Sequence, residues 1–365
     1  MIAQNNSIKE NGSKEDQAEV SPKRISELAS IMDDQINKSI KAIGNINLQT
    51  KLLATNGQVE AARSGHVGKA FSVIAEEMVG LAGNTSNVAQ GLISETKVSI
   101  SELIEISDRL GTSVKGTRLT DLALNNIDLV DRNLYERTCD VRWWATDSSL
   151  VQALTTKEHD DFNYASKRLG VILDAYTVYF DLVLCDINGN VVANGRPGEY
   201  QSQSTNQKDR EWFQQAIKSS SGNEYGFDSV HRSKLVNDQH VLIYSCSVRE
   251  NGEANGKVLG ALGILFNWDS LAQTIVDNTP LTSAEKSATR VCFVDEDRMV
   301  LADTKGGTLR DKIEFKGHFD LLKSKKDFMI TKMGSKLVIV GHAKAPGFET
   351  YSTGWHSLII QELDD

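Results

Sequence analysis

The sequence has little proline, with four residues among 365 and none between Pro22 and Pro197. Because proline interrupts helices, this stretch can form helices of unusual length. The chain also lacks a long apolar run. Its most apolar segment, Val258–Trp268, is far shorter than the roughly 20 residues that cross a bilayer. We therefore expect no membrane span, and a buried strand at Val258–Trp268.

An excess of positive charge is absent as well. The formal net charge is −9, which gives no global electrostatic reason to bind nucleic acid or an anionic membrane. A chain of 365 residues is too long for one small domain, so we expect two or three modules. Residues 1–20 are polar and lack an apolar core, which predicts a disordered lead rather than a signal peptide.

Cysteine is scarce and scattered. Cys139, Cys185, Cys246 and Cys292 show neither CxxC nor zinc-finger spacing. The last three lie in apolar, strand-like runs, so we expect buried, reduced thiols in a cytoplasmic protein. No Ser/His/Asp or Cys/His arrangement indicates a nucleophile. The sequence thus predicts no catalytic residue, no cofactor and no metal, and a protein that is not an enzyme.

Apolar residues recur at helical spacing through the first third of the chain. One seam runs from Ile25 to Ile46 and a second from Phe71 to Leu110, and such narrow stripes are typical of a coiled coil. Gly65 between the arms suits a tight turn. The pattern predicts an antiparallel α-helical coiled-coil hairpin over residues 21–116. Packing of the two arms against each other should bury the seams, so that only the outer face of the tip remains free to bind partners.

Beyond the hairpin the pattern changes twice. Glycines at 111 and 116 mark a weak point, after which long helices are predicted over Arg118–Leu154 and Asp160–Tyr176. From Val178 onward short alternating strands and turns dominate. The segment VLCDINGNVVANG recurs as VCFVDEDRMVLADT. The repeat predicts two half-size α+β units in tandem, each an antiparallel sheet with helices on a face.

Residues 52–86 resemble the signalling tip of methyl-accepting chemotaxis proteins. The features that match are Leu52-Leu53-Ala54, Asn56, Glu60-Ala61-Ala62-Arg63, Gly65, Gly68-Lys69, Phe71, Val73, Ala75, Glu77, Leu81-Ala82 and Ser86. The resemblance implies contact with the chemotaxis histidine kinase CheA and the adaptor CheW. It implies that Asn56, Glu60, Arg63 and Val73 lie in or near that contact surface. By spacing alone, Glu60 and Arg63 fit an exposed pair of little consequence.

Three features depart from that family's pattern. Leu48 stands where a phenylalanine usually packs receptor dimers into trimers. Gly80 and Gly83 lie within a helix, at a cost of roughly 1 kcal/mol each relative to alanine. The first arm is also too short to carry the usual methylation sites, so we do not expect adaptation by methylation.

Residues 117–365 resemble a double Cache sensor, in which two PAS-like antiparallel sheets pack on a long helix. The first unit would span about 155–268 and the second about 279–365. The segments that carry the resemblance are Arg142-Trp143-Trp144, Asp186-Ile187-Asn188-Gly189, Arg210-Glu211-Trp212-Phe213 and Gly260–Trp268.

The resemblance implies a ligand pocket in the first unit. Its candidate residues are Arg210, Trp212, Phe213, Tyr225, Asp228 and Tyr244. A guanidinium binds a carboxylate bidentately, and aromatic faces cover an ammonium or an apolar tail. Asp228 could hold an amine or simply end a strand. Residues 260–264 carry no acid where amino-acid binders place one, so a carboxylate, an amine or another small metabolite remains open.

Together these features predict a cytoplasmic, chemoreceptor-like signal transducer that acts as a homodimer. Its Cache domain would sense a small-molecule ligand and relay the signal through the hairpin to CheA and CheW. The alternative is a non-enzymatic scaffold of chemoreceptor arrays, without direct control of the kinase.

Overall fold

The computed structural model describes residues 21–363, and the disordered lead predicted for residues 1–20 lies outside them. The chain divides into two units, with the boundary between Lys115 and Gly116. The first unit is helical. The second contains two antiparallel sheets of five strands each. The predicted fold class, long N-terminal helices followed by paired α+β sensor units, is confirmed.

Two long helices form the first unit. Helix α1 spans Pro22–Arg63, and helix α2 spans Lys69–Trp144. The N-terminus of α1 is capped by Ser21, whose hydroxyl accepts a hydrogen bond from the backbone N–H of Arg24 at 3.3 Å. A single 3₁₀ turn joins the helices, beginning at Gly65 with φ +55°. Only glycine adopts this left-handed conformation without strain.

The buried stripe of the hairpin differs from the predicted seam. Alanine predominates in it: the buried residues are Ala29, Asn47, Ala54 and Ala61 on α1, and Ala75, Ala82, Ile100 and Ser107 on α2. The predicted seam is largely exposed, with Met32 at 50%, Ile74 at 57% and Leu81 at 66%. Because alanine has a short side chain, it lets two helices approach closely. The large apolar residues are therefore left on the surface of the single chain.

The predicted break near Gly111–Gly116 is also wrong, because α2 continues without interruption to Trp144. The glycine at 116 serves packing instead. A Cβ atom placed on it would lie 2.3 Å from Cδ2 of Phe328. The helix predicted to reach Leu154 ends ten residues earlier, because a turn intervenes before Asp147 caps the next helix at Ser149 N, 2.9 Å away.

The remaining elements build the two sheets. The helices are α3 (Ser148–Thr156), α4 (His159–Ala175), α5 (Glu211–Lys218), α6 (Trp268–Asp277), α7 (Ser283–Ala288) and α8 (His318–Lys323). The strands are β1 (Tyr179–Asp186), β2 (Val191–Asn194), β3 (Gly226–Ser233), β4 (Gln239–Arg249), β5 (Val258–Asn267), β6 (Thr289–Val294), β7 (Val300–Asp303), β8 (Lys326–Met333), β9 (Lys336–Lys344) and β10 (His356–Glu362). The first sheet has the order β2-β1-β5-β4-β3 and the second the equivalent order β7-β6-β10-β9-β8. The sequence repeat that predicted two tandem units therefore corresponds to two sheets with the same strand order.

The C-terminal half of α2 lies in the core shared by both sheets. Its buried apolar residues are Leu119, Ala123, Ile127, Val130, Leu134 and Val141. Close approach to the second sheet depends on Gly341 in β9, where a Cβ atom would lie 2.6 Å from the Cβ of Leu119. The opposite face of each sheet has its own smaller core, covered by α5 in the first sheet and by α8 in the second.

A buried carboxylate fixes α2 to the loop between β9 and β10. Asp131 accepts hydrogen bonds from the backbone N–H of Gly347 at 2.7 Å and from Thr353, at 3.1 Å to its N–H and 2.8 Å to its hydroxyl. Burial raises the pKa of Asp131 above its ordinary value, and the hydrogen bonds oppose that effect. Three donors satisfy a charge that would otherwise be costly to bury.

None of the helices within residues 21–363 combines the length and the apolar character that a bilayer span requires.

Two histidines lie buried side by side in the second sheet. Nε2 of His342 lies 2.8 Å from Nδ1 of His356, and the two residues are 0% and 5% exposed. Burial lowers the pKa of His342 to about 3 and that of His356 to about 4. Both rings are therefore neutral in the folded protein at pH 7.

We predict that this pair lowers stability in mild acid. The folded-state pKa values lie below the unfolded value of about 6.5, so the unfolded chain takes up protons first as pH falls. Between pH 7 and pH 5 each histidine should cost roughly 1–2 kcal/mol of unfolding free energy. Urea denaturation across this range measures the effect.

The matched control is His342→Gln, because buried carboxylates such as Asp131 act in the opposite direction and must be subtracted. The variant should show a flatter dependence of stability on pH than the unaltered chain. Superimposable pH profiles would contradict the prediction.

Candidate functional site

The first sheet carries a cavity of about 210 Å³ beneath α5. It is bounded by the start of α5, by strands β3 and β4, and by the turn that joins them. The lining residues are Thr205, Asn206, Gln207, Arg210, Trp212, His231, Ser233, Lys234, Leu235 and Ile243. Most of them carry hydrogen-bonding side chains, and two are cationic. The cavity therefore suits a small polar ligand with negative charge.

Arg210 lies at the mouth of this cavity, at the N-cap position of α5. Amphipathic packing fixes the helix, because Trp212, Phe213 and Ala216 are buried on one side of it. The side chain of Arg210 is exposed, and within residues 21–363 it takes part in no ion pair. Its guanidinium is thus free to bind a carboxylate bidentately.

Trp212 forms the floor of the cavity and is fully buried. Its ring lies over Gly263 of β5, where a Cβ atom would lie 2.9 Å from Cζ3 of the indole. The main chain of Trp212 is held by Ser245, whose hydroxyl donates to its carbonyl at 2.6 Å. The indole therefore occupies the space above β5, the strand whose residues 260–264 include no acidic side chain.

Asp228 and His231 lie on β3, at the edge of the same site. Burial raises the pKa of Asp228, which His231 and Arg210 oppose and Glu211 reinforces. Nδ1 of His231 lies 2.8 Å from the carbonyl oxygen of Ser229. A carbonyl only accepts, so Nδ1 of His231 carries a proton and donates it to this bond. Asp228 is not among the residues that line the cavity, but it is within electrostatic reach of Arg210.

The structure does not bring the other three predicted ligand residues into the cavity. Phe213 is 2% exposed and packs edge-on against Trp212, with ring centroids 5.9 Å apart. Tyr244 and Tyr225 lie on the opposite face of the sheet. Successive side chains of a strand point to opposite faces, so Tyr244 faces away when its neighbour Ile243 lines the cavity. The hydroxyl of Tyr244 is instead 2.6 Å from that of Tyr351.

Several lining residues had no signal in the sequence. Thr205 and Gln207 belong to an irregular segment before α5, and Gln207 donates to Thr205 Oγ1 at 3.1 Å. Lys234 lies in a 3₁₀ turn that Ser233 caps by accepting from Leu235 N at 3.3 Å. The sequence shows only a polar turn after an alternating strand at these positions. Because most loops share that pattern, it does not identify ligand-binding residues.

The hairpin tip is a second candidate surface. Asn56, Glu60, Arg63 and Val73 are all exposed. Glu60 and Arg63 form an ion pair at 3.4 Å, with side chains 71% and 74% exposed. A pair so exposed contributes little to stability, and both charges remain accessible to a partner.

Beside these residues the tip forms a shallow, mainly apolar depression of about 300 Å³. Gly57, Ala61, Gly68 and Phe71 help to line it, and Phe71 is 70% exposed. An exposed apolar hollow next to two charged groups is a surface suited to a protein partner.

Comparison with known proteins finds a likeness for each part of the chain. Residues 2–132 match the family model described as the methyl-accepting chemotaxis protein (MCP) signalling domain. A sensory transducer protein of Acetivibrio thermocellus is 39% identical over 112 residues, which is 29% of this chain and 19% of that protein. The chain therefore spans about a fifth of the length of this curated relative.

The sensor part is similar to solved chemoreceptor domains. The sensory domain of the Campylobacter jejuni chemoreceptor Tlp3 (CcmL) gives a TM-score of 0.52 at 17% identity, covering 69% of this chain and 95% of that one. The Tlp3 ligand-binding domain in complex with L-valine gives 0.52 at 18%, covering 69% and 94%. At this identity the likeness shows a shared fold. The chain thus combines a segment that matches the MCP signalling domain with the fold of chemoreceptor sensory domains, as its sequence predicts.

The tip turn yields a direct test. A Cβ atom on Gly68 would lie 2.1 Å from the carbonyl oxygen of Ala61, so Gly68→Ala must displace backbone. We expect it to destabilise the hairpin by about 1–3 kcal/mol. Thermal unfolding of the full chain, followed by circular dichroism at the helical band, measures the change.

Gly80→Ala is the matched control, since a Cβ atom placed on Gly80 of α2 would meet nothing within 4 Å. Alanine is favoured over glycine in a helix by roughly 1 kcal/mol, so this variant should be more stable than the unaltered chain. Equal stabilities of the two variants would show that the tip does not depend on Gly68.

Proposed function

We propose that this chain is a chemoreceptor-like signal transducer. In this proposal, a small metabolite binds beneath α5 and the hairpin tip acts on CheA and CheW. The observation that carries it is the presence, in one chain, of an MCP-type tip and a sensor cavity with an uncommitted Arg210 guanidinium. Neither feature alone would distinguish a transducer from a simple binding module.

The cavity favours a metabolite with a carboxylate. Arg210 and Lys234 supply cationic groups, and Thr205 and Gln207 supply neutral hydrogen-bonding groups. The Tlp3 domain has been solved with L-valine, so α-amino acids are natural candidates. Here, however, β5 has a glycine at position 263, and the indole of Trp212 occupies the space that a side chain at that position would take. Asp228 is the nearest group that could hold an amine, which makes simple carboxylates the stronger candidates.

Relay requires that the ligand bind two states of the protein unequally. Helix α2 is the element through which we propose that the difference passes, since it contributes residues to both units. In the sensor it is held by Asp131 and by apolar packing around Leu119. A change in the first sheet could reach α2 through the Tyr244–Tyr351 contact and the loop that Asp131 holds.

A homodimer is part of the proposal. The outer face of the hairpin exposes large apolar residues along both helices, among them Phe71 at 70%, Leu81 at 66% and Val88 at 72%. These residues have the spacing of a coiled-coil seam. A second copy would cover them in a four-helix arrangement around the alanine stripe. The tip residues Asn56, Glu60, Arg63 and Val73 would remain available for the kinase and the adaptor.

Two expectations from the sequence stay predictions. The cytoplasmic placement is supported by the match to a signalling domain. The absence of enzymatic activity is supported by the transducer relatives.

The ligand site is tested by titrating the full chain calorimetrically with L-valine, succinate, acetate and small amines. We expect one class to bind, with Arg210→Ala lowering its affinity about tenfold to a hundredfold, the loss expected for a charged hydrogen bond. The control is Arg232→Ala, an exposed cation on β3 that does not line this cavity. Binding unaffected by Arg210→Ala would contradict the assignment, and no binding at all would favour the scaffold alternative.

The dimer is tested by sedimentation velocity. Replacing Leu81 with Glu should place charge in the proposed interface and shift the chain towards monomer by at least tenfold in dissociation constant. Gln90→Glu adds the same charge nine residues further on, half a turn around the helix, and should leave the dimer intact. A monomeric unaltered chain, or equal effects of both substitutions, would refute the proposed interface.

A further inference from the structure

A second cavity, of about 350 Å³, lies on the first sensor unit where α2 ends. It is separate from the cavity beneath α5, because the two have no lining residue in common. Its walls come from the last turn of α2, the end of β4 and the turn that follows β4. Its volume falls within the range of small-molecule sites, roughly 300–1,000 Å³.

Two guanidinium groups line this cavity, from Arg142 and Arg249. Arg249 is 7% exposed, so water does not solvate its charge. Its donors go to neutral oxygens: Nε to Ser247 Oγ at 2.9 Å, one terminal nitrogen to the Gly256 carbonyl at 2.9 Å, and the other to the Ser219 carbonyl at 2.6 Å. These bonds orient the group but leave its charge without a counterion.

Arg142 is held more loosely. Its Nε donates to the carbonyl of Thr138 at 2.8 Å, and its terminal nitrogens make only contacts of 3.4–3.5 Å, including one to the carbonyl of Asn223 at 3.4 Å. Both guanidinium charges act on the thiol of Cys246, where they oppose the burial that raises its pKa to about 11. The positive charges of Arg142 and Arg249 therefore both act on the interior of this cavity.

Carboxylates near the cavity do not neutralise these cations. Within residues 21–363 neither Arg142 nor Arg249 has a carboxylate oxygen within 4.0 Å. Glu224 is committed elsewhere, accepting from the backbone N–H of Ser220 at 3.1 Å and from its hydroxyl. Glu253 is the only acidic residue in the lining, and it is exposed at the rim. Glu224 acts on Arg249 only through space, without an ion pair. A buried cation without an ion-pair partner is costly, and a bound anion would supply that partner.

We infer that this cavity is a binding site for a small dianion, a dicarboxylate or a phosphate. The fork of Arg142, whose terminal nitrogens make only long contacts, would bind one charged group of the ligand bidentately. Arg249, whose donors are already taken by neutral oxygens, would contribute the attraction of its buried charge. Trp143, 69% exposed at the entrance, would cover the ligand. One wall of the cavity is held together by a hydrogen bond from Gly222 N to the Ala254 carbonyl at 2.8 Å. It stands independently of the metabolite cavity at Arg210.

Calorimetric titration of the full chain with sodium phosphate and with sodium succinate, at ionic strength matched with sodium chloride, tests the inference. We expect saturable binding of at least one probe, and which probe binds names the class. Arg142→Gln, which keeps the length of the side chain and removes its charge, should lower the affinity at least tenfold. Intrinsic tryptophan fluorescence should change on binding and lose that change in Trp143→Phe.

Arg310→Gln is the matched control, because Arg310 is an exposed cation of the second sensor unit, 72% exposed. It should bind both probes as the unaltered chain does. Circular dichroism confirms that each variant is folded, and Arg142→Lys, which keeps the charge but loses the fork and should also weaken binding, gives a second test if Arg142→Gln unfolds. Absence of saturable binding, or an affinity that Arg142→Gln leaves unchanged, would overturn the inference.

Discussion

The packing of α2 is the constraint that governs both halves of the chain. This one helix of 76 residues must match two different surroundings with a single unbroken backbone. Towards α1 it presents small residues such as Ala75 and Ala82, and within the sensor it buries large ones such as Leu119 and Leu134. Because the helix is continuous, we propose that a change in how its C-terminal half is held reaches the hairpin arm. That continuity gives the signalling proposal a physical route.

Glycine and alanine residues determine how closely the helices and strands of this fold approach one another. Glycines at 68, 116, 263 and 341 each leave space that backbone, an aromatic ring or a neighbouring helix already occupies. At 263 the indole of Trp212 fills the volume that a side chain on β5 would otherwise occupy, which supports the proposal of a simple carboxylate as ligand. In the hairpin, the short side chains of the alanine stripe likewise let the two helices approach closely, and the bulky apolar residues remain exposed.

Much of the architecture followed from periodicity. The two hairpin arms, the tandem sheets and the position of α5 were all predictable, because helical and strand patterns repeat over many residues. What failed depended on contacts between distant residues. Gly116 looked like a helix break because its partner Phe328 is more than two hundred positions away. The large seam residues looked buried because periodicity alone does not show that alanine fills the contact between the two arms. At the cavity, Arg210 and Trp212 were predicted and meet there. Tyr244 was misplaced by one residue of strand alternation. Arg142 belongs to a segment that carries the resemblance, but no sequence pattern placed it beside Arg249 in a cavity.

Ligand binding at Arg210 is proposed to change the activity of a kinase at the hairpin tip. The decisive experiment is the autophosphorylation rate of CheA, reconstituted with CheW and this chain, with and without the metabolite found to bind beneath α5. We expect a rate that changes with ligand for the unaltered chain and stays constant for Arg210→Ala. A chain that joins the complex yet gives the same rate at every ligand concentration would show that the sensor does not control the kinase.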